Sequence, residues 1–290
     1  MSWQERALHF DCEGEALIGV LGEPPFGVAP HPVGVLIVVG GPQYRVGSHR
    51  QFVLLARALA AAGHRVLRFD YRGMGDSAGA PRDFRGATPD IAAALDAFAQ
   101  ACPGLERVAL WGLCDAASAA LLYCDERGAD ARVAGLCLLN PWVRSEAGLA
   151  RAQVRHYYLQ RLREPAFWRK LLAGKVARTA ATELVAKLRL ARAAGKADKR
   201  PSPADAPFQA RMARAWRERP ALPRLLILSG RDLTAREFVD HAANAPDWRG
   251  LLEQPAVRRV DLAAADHTFS TAAWRGEVER LCVDWLAALA

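Results

Sequence analysis

Runs of consecutive apolar residues, rather than alternating apolar and polar positions, mark the strands that the sequence predicts. Three runs rich in β-branched and leucine side chains are the clearest, at residues 34–39, 108–111 and 225–228. Consecutive apolar positions are typical of strands in a parallel sheet, because helices cover such a sheet on both faces. The pattern therefore predicts a buried sheet of mostly parallel strands.

Helical periodicity fills the intervals between these strands. Residues 52–60 form an apolar helical pattern, and a further strand pattern follows at residues 65–69. A second helix is predicted from Pro89, because proline favours the first turn of a helix, and it leads to the strand at 108–111. A last strand is predicted at residues 257–262, before a C-terminal helix. Strands that alternate with helices predict βαβ units around one sheet.

The segment of residues 144–219 interrupts this alternation. It is helical in pattern and rich in arginine, and its 19 Lys and Arg against 6 Asp and Glu give it a net charge of +13. The rest of the chain carries −5, so the net charge of +8 comes from this segment alone. We therefore predict a core formed by residues 1–143 and 220–290, with a basic helical cap inserted at residues 144–219.

The composition suits one large α/β domain and excludes several other classes of protein. The chain has 290 residues, of which 51% are hydrophobic, but it has no apolar run of the length that crosses a membrane. Its N-terminal residues include acids where a signal peptide would be apolar, so we expect a cytoplasmic location. The six cysteines form no C-x-x-C pair, so we expect no metal site, no disulfide framework and no cofactor. No nucleic-acid-binding module is recognisable.

The sequence Gly112-Leu113-Cys114-Asp115-Ala116 is the strongest candidate for chemistry. It matches the nucleophile-elbow motif G-x-S-x-G, with Cys in place of Ser and Ala in place of the last Gly, between a predicted strand and a predicted helix. Small residues at both ends allow a tight turn, and the helix N-terminus favours a thiolate at Cys114. The alternative is a buried structural cysteine, which any of the six could be.

A second motif, at residues 70–77, reads Asp-Tyr-Arg-Gly-Met-Gly-Asp-Ser and resembles a loop motif of the α/β-hydrolase superfamily. The resemblance implies an α/β-hydrolase fold with catalytic residues in the order nucleophile, acid, histidine. Asp232 and His267 follow predicted strands at the places which that order requires. Asp266 is a competing acid, but a side chain adjacent in sequence seldom reaches its neighbour's imidazole, so Asp232 is favoured.

The resemblance also implies an oxyanion hole in the loop after the predicted strand at residues 34–39. Either Gly41 or Gln43 would supply one backbone N–H, because Pro42 has none, and Asp115 would supply the other. Together the motifs GGPQYRVGSHRQF, FDYRGMGDS, GLCDAASA, SGRDLTAREF and ADHTFS resemble the exosortase A system-associated hydrolase 1 family, over roughly residues 1–285. The resemblance implies a hydrolase of undefined substrate that is linked to exosortase and exopolysaccharide systems.

Three functions are compatible with these residues. The first is an esterase or thioesterase with a Cys114–His267–Asp232 triad and an acyl-cysteine intermediate. An acyltransferase could use the same triad, and a non-catalytic relative would bind a partner through the basic cap. We expect an anionic acyl substrate, or contact with an anionic lipid surface, because the cap mixes basic residues with aromatic ones. Its candidate substrate-binding residues are Arg155, Arg161 and Trp168.

Overall fold

A computed structural model describes residues 4–41, 43–144 and 206–289. They contain eight strands and six α-helices. The strands are β1 (Gln4–Cys12), β2 (Glu15–Glu23), β3 (Val33–Val38), β4 (Val66–Phe69), β5 (Arg107–Leu113), β6 (Val133–Leu139), β7 (Arg224–Ser229) and β8 (Val257–Leu262). The helices are α1 (Gln51–Ala61), α2 (Thr88–Ala101), α3 (Asp115–Arg127), α4 (Phe208–Glu218), α5 (Leu233–Asn244) and α6 (Ala272–Leu286).

The eight strands form one sheet in the order β1-β2-β4-β3-β5-β6-β7-β8. The pairs from β4 to β8 are parallel, while β2 pairs antiparallel with both β1 and β4. The predicted mostly parallel sheet is confirmed. Because parallel strands end at the same edge, the loops after β3, β5, β7 and β8 lie together at their carboxyl ends.

Helices cover the sheet on both faces, which explains the uninterrupted apolar runs. All six residues of β3 are buried. Leu36 and Val38 belong to the core on the face that α2, α3 and α4 cover, and Val35 and Ile37 belong to the core beneath α1 and α6. Successive side chains of a strand point to opposite faces, so a strand covered on both faces must be apolar at every position.

Helix α4 lies within the segment that we expected to form the cap, but it packs on the core. Trp216 is fully buried there, donates its indole N–H to the carbonyl of Leu251 at 3.0 Å, and contacts Trp248 edge-to-face. Trp216 therefore belongs to the core, although it lies within the range of residues 144–219 that we expected to form the cap. Burial of a large aromatic surface, with its polar N–H satisfied, accounts for its place in the core.

The basic residues of α4 also have partners in the core. Arg211 and Arg214 both pair with the buried carboxylate of Asp125 on α3, at 2.9 Å and 2.6 Å. These contacts offset part of the positive charge of the 144–219 segment. Residues 145–205, which hold 14 Lys and Arg against 5 Asp and Glu, lie outside the described residues, and Arg155, Arg161 and Trp168 are among them.

The motif at residues 70–77 holds the loop after β4. Arg72 is buried and forms a two-pronged ion pair with the buried Asp90 of α2, at 3.0 Å and 2.9 Å. Ser77 donates to the carbonyl of Asp70 and accepts from the N–H of Ile18, both at 2.9 Å. These contacts give the motif the structural role that we expected for it.

In the part of the chain that the structure describes, no helix combines the length and apolarity that a membrane crossing requires.

Candidate active site

Cys114 occupies the turn between β5 and α3. Its backbone has φ 64° and ψ −124°, and a positive φ is rare for a residue with a side chain. The turn is tight because Gly112 lies against the next helical turn: a Cβ atom on Gly112 would be 2.6 Å from the backbone of Ala116. The thiol is partly exposed, whereas the other five cysteines are buried. Strained backbone that presents one accessible side chain is typical of a nucleophile elbow.

Asp232 and His267 are brought together from the loops after β7 and β8. The Nδ1 atom of His267 lies 2.8 Å from Oδ2 of Asp232. Asp232 also begins α5, where its carboxylate accepts the backbone N–H groups of Thr234 and Ala235, both at 3.1 Å. Burial raises the pKa of Asp232, but the hydrogen bond with His267 and these N–H groups outweigh it and leave that pKa below its usual value.

The imidazole of His267 is held between the carboxylate and the thiol. Hydrogen bonds with Asp232 and then with Cys114 raise the pKa of His267 to about 10, although burial acts in the opposite direction. Both partners therefore favour the protonated imidazole. The three residues of the predicted triad thus meet at one point, with the acid on one ring nitrogen and the thiol as the second partner.

Asp266, the competing acid, is committed to a different contact. Its carboxylate accepts the backbone N–H of Ser270 at 3.0 Å and the hydroxyl of the same residue. Burial raises the pKa of Asp266, but these hydrogen bonds lower it overall. Asp266 thus stabilises the loop that carries His267, while Asp232 is the acid on the imidazole.

The two candidate loop donors of the oxyanion hole differ in their contacts. The N–H of Gly41 donates to Oδ2 of Asp115 at 2.8 Å, so this group already has an acceptor. Gln43 uses its side-chain oxygen to accept the N–H of Ser48 at 3.3 Å. The geometry therefore favours the backbone N–H of Gln43 over that of Gly41 as the partner of the Asp115 N–H.

A cavity of about 640 Å³ opens beside these groups. Gly41, Gln43 and Asp115 line it, together with two further glycines, the charged residues Arg82 and Asp83, and five apolar or aromatic residues. The apolar and aromatic residues are Tyr44, Tyr71, Met74, Pro81 and Phe84. This volume is in the usual range for sites that bind small molecules. Among the described residues, no three His, Cys, Asp or Glu side chains come together as a metal site.

Asn140, at the end of β6, is a supporting residue that the sequence analysis missed. It is fully buried, and its side chain donates to the carbonyl of His267 at 3.2 Å and to the hydroxyl of Ser229 at 2.9 Å. Its side-chain oxygen accepts the N–H of Ser229 at 2.8 Å. It therefore links the ends of β6 and β7 to the histidine loop. The signal in the sequence was the amide of Asn140 directly after the apolar run of β6. A polar side chain buried at such a place needs several hydrogen-bond partners.

Comparisons with known proteins identify the fold and the family of the chain. The chain is 42% identical to the lysophosphatidylserine lipase ABHD12 of Gallus gallus over 82 residues, which are 28% of this chain and 20% of that protein, so it spans about a fifth of that relative. Esterase Pf2001 of Pyrococcus furiosus has TM-score 0.63 and 16% identity, over 99% of this chain and 93% of that chain.

Est1E of Butyrivibrio proteoclasticus, solved with ferulic acid, has TM-score 0.59 and 15% identity, over 97% of this chain and 100% of that chain. At these identities the two structures show a shared fold. The model of the alpha/beta hydrolase family matches residues 35–281, which include the elbow, the acid and the histidine. The chain has an α/β-hydrolase fold and belongs to the alpha/beta hydrolase family.

Proposed function

We propose that the protein is an acyl hydrolase of esterase or thioesterase type, with Cys114 as nucleophile, His267 as proton carrier and Asp232 as the acid. One observation carries the proposal: the carboxylate of Asp232 bonds to Nδ1 of His267, and Cys114 on the strained turn is the second group that raises the pKa of the same imidazole. A cysteine with only a structural role needs neither the strain nor this pair of partners.

The reaction would proceed through a thioester. The sulfur of Cys114 attacks the acyl carbon, and the backbone N–H groups of Asp115 and Gln43 hold the oxyanion, a contribution of about 2.7–4 kcal/mol per donor. The imidazolium of His267 gives its proton to the departing alcohol or thiol. A water molecule then attacks the thioester carbon and gives a proton to His267, which releases the carboxylic acid and restores the cysteine.

The choice of an ester or thioester substrate rests on the cavity and on the relatives. The apolar and aromatic lining beside Asp115 suits an acyl group, and a lipase and an esterase are among the similar proteins. Membership of the exosortase A system-associated family, and with it a role beside exopolysaccharide systems, is part of the proposal. It is supported by the motifs of the sequence, above all GLCDAAS at residues 112–118.

A panel of acyl thioesters and p-nitrophenyl esters tests the proposal. Wild-type protein should turn over at least one member and show a mass increase equal to one acyl group, and Cys114→Ala should do neither. Addition of an amine or alcohol acceptor separates the acyltransferase alternative, because acyl transfer would yield the acylated acceptor in place of the free acid. Absence of both turnover and acyl adduct across the panel would favour the non-catalytic alternative.

We also propose that the basic residues 145–205 favour an anionic acyl substrate. The motivation is their charge of 14 Lys and Arg against 5 Asp and Glu, which is independent of the ion pairs that α4 makes with the core. Electrostatic attraction is screened over about 10 Å at 0.1 M salt. The kcat/KM for an anionic thioester is therefore expected to fall as salt rises, while kcat/KM for a neutral ester of the same acyl group stays nearly constant.

The charge-reversal variant Arg155→Glu, Arg161→Glu and Arg169→Glu is the direct test of this selection. It should lower kcat/KM for the anionic substrate and leave that for the neutral ester unchanged. An equal response of the two substrates to salt, or an unchanged rate on the anionic one, would show that this charge does not capture substrate.

A further inference from the structure

The side chain of Asp115 joins two segments that are distant in sequence. Asp115 is the first residue of α3, and its Oδ2 accepts the N–H of Gly41, which follows β3, at 2.8 Å. The nucleophile elbow (residues 112–116) and the oxyanion loop (the described residues Gly40, Gly41 and Gln43) are therefore tied by one hydrogen bond. This contact fixes the distance between the nucleophile and the loop that carries the expected N–H donor.

Glycine at position 40 allows this contact to form. A Cβ atom on Gly40 would lie 2.2 Å from Oδ1 of Asp115 and 2.9 Å from the backbone nitrogen of Ala116. Any side chain at this position would displace either the carboxylate or the loop. Gly40 and Asp115 are thus matched, because the missing side chain of the first makes room for the carboxylate of the second.

The Asp115 carboxylate is costly to place here, so a contribution to the stability of the fold does not explain its position. Oδ1 of Asp115 is buried and has no hydrogen-bond partner of regular geometry among the described residues. Burial raises the pKa of Asp115, and the N–H groups of Gly41 and Ala116, together with the charge of His267, only partly oppose this shift. Within the described part of the chain, no basic side chain forms a salt bridge with it. A buried carboxylate oxygen without a hydrogen bond destabilises a fold, and such groups are concentrated at functional sites.

We propose that Asp115 is a positioning residue, whose carboxylate holds the oxyanion loop against the elbow so that the N–H groups of Asp115 and Gln43 converge on the acyl oxygen. This inference rests on the proposed acyl-transfer chemistry of Cys114. It gives the N–H of Gly41 a structural role, because Asp115 already occupies it. This role differs from that of a second catalytic acid. It requires an oxygen that accepts a hydrogen bond, and it requires neither a charge nor an exchangeable proton.

Two substitutions separate these roles. Asp115→Asn keeps an oxygen that can accept the Gly41 N–H, whereas Asp115→Ala removes it. We expect Asp115→Ala to lower kcat about 10²-fold, the effect of a displacement near 1 Å in an active site, with KM changed much less. Asp115→Asn should recover most of this loss. The exposed carboxylate of Asp240 on α5 gives the control Asp240→Ala, which should match wild type.

Thermal unfolding shows whether the effect is merely structural. Because Oδ1 of the carboxylate is buried without a hydrogen bond, Asp115→Asn and Asp115→Ala are both expected to be at least as stable as wild type. A fall in kcat without a fall in melting temperature is the result that a purely structural residue would not give. If Asp115→Asn lost as much kcat as Asp115→Ala, the charge would be the operative feature and the positioning role would be wrong.

Amide hydrogen exchange tests the contact without any substrate. Exchange in a peptide that covers residues 36–44 should be about tenfold faster in Asp115→Ala than in wild type, and close to wild type in Asp115→Asn. Equal exchange in wild type and Asp115→Ala would overturn the proposal. This measurement also separates two failures, because an inactive wild-type protein with the expected exchange pattern would contradict the acyl hydrolase proposal and leave the contact established.

Discussion

Asp232→Asn is expected to lower kcat about 10⁴-fold while the protein remains folded. The carboxylate of Asp232 accepts from Nδ1 of His267 at 2.8 Å, and an amide at this position can present an N–H to that nitrogen and favour the wrong tautomer. Asparagine is also a good residue for the start of a helix, so α5 should keep its N-terminal cap. The kcat on the best ester or thioester of the panel is the measurement.

Asp266→Asn is the matched comparison, because it changes the adjacent carboxylate on the same loop. Asp266 bonds to Ser270 and not to the imidazole, so we expect its substitution to lower kcat less than about tenfold, in line with the loss of an ordinary hydrogen bond. Equal losses in the two variants would show that the acid has been assigned incorrectly.

Stability as a function of pH gives an independent view of the Asp232–His267 pair. The pKa of His267 is raised from 6.5 to about 10 in the folded protein, so the pair stabilises the fold below the unfolded value and this contribution disappears as pH rises through about 10. The difference in melting temperature between wild type and Asp232→Asn should therefore be greatest near pH 6, with wild type the more stable. The difference should shrink toward pH 10.

Much of the sheet was predictable because burial on both faces leaves an unmistakable pattern. The apolar runs at residues 34–39, 108–111 and 225–228 correspond to β3, β5 and β7, and the acid and histidine follow β7 and β8 as the fold order requires. These predictions needed only local sequence and the rule that chemistry lies at the carboxyl ends of parallel strands.

The first two strands escaped prediction because β1 is the exposed edge of the sheet and β2, which lies between β1 and β4, is buried at only some of its positions. In β1 only Cys12 is fully buried, and acidic and basic residues interrupt its apolar positions. The hairpin with β2 still left a signal: Cys12 pairs with Glu15 across Glu13 and Gly14, which both have positive φ. A glycine in a two-residue turn between alternating segments is the pattern that predicts such a hairpin.

The contacts of Asp115 and Asn140 could not be predicted from local sequence. Each joins a strand end to a residue far along the chain: Asp115 to Gly41, and Asn140 to Ser229 and His267. Residue type accounts only for an acid in the first turn of α3, where the helix dipole favours Asp115. Its actual position depends on Gly40, which has no side chain to exclude it.

Cys114 is expected to be alkylated before the other five cysteines when the protein is treated briefly with iodoacetamide near neutral pH. Cys114 is partly exposed and has His267 as a neighbour, whose imidazole can serve as the base that activates a nucleophilic thiol. Burial raises the pKa of both Cys12 and Cys124 to about 11, so their thiolates form in quantity only well above neutral pH. Peptide mapping over time identifies the site that reacts first.

His267→Ala is the control for this reactivity, because it removes the imidazole and leaves Cys114 at its helix N-terminus. If the pair activates the thiol, labelling of Cys114 should slow at least about tenfold in His267→Ala while labelling of the buried cysteines is unchanged. Cys114→Ser should fold, since the turn accommodates either side chain, but should not be labelled at this position. Modification of Cys12 or Cys124 ahead of Cys114 in wild type would contradict the assignment of the nucleophile, because a buried thiol with a raised pKa cannot outcompete an exposed one that a histidine activates.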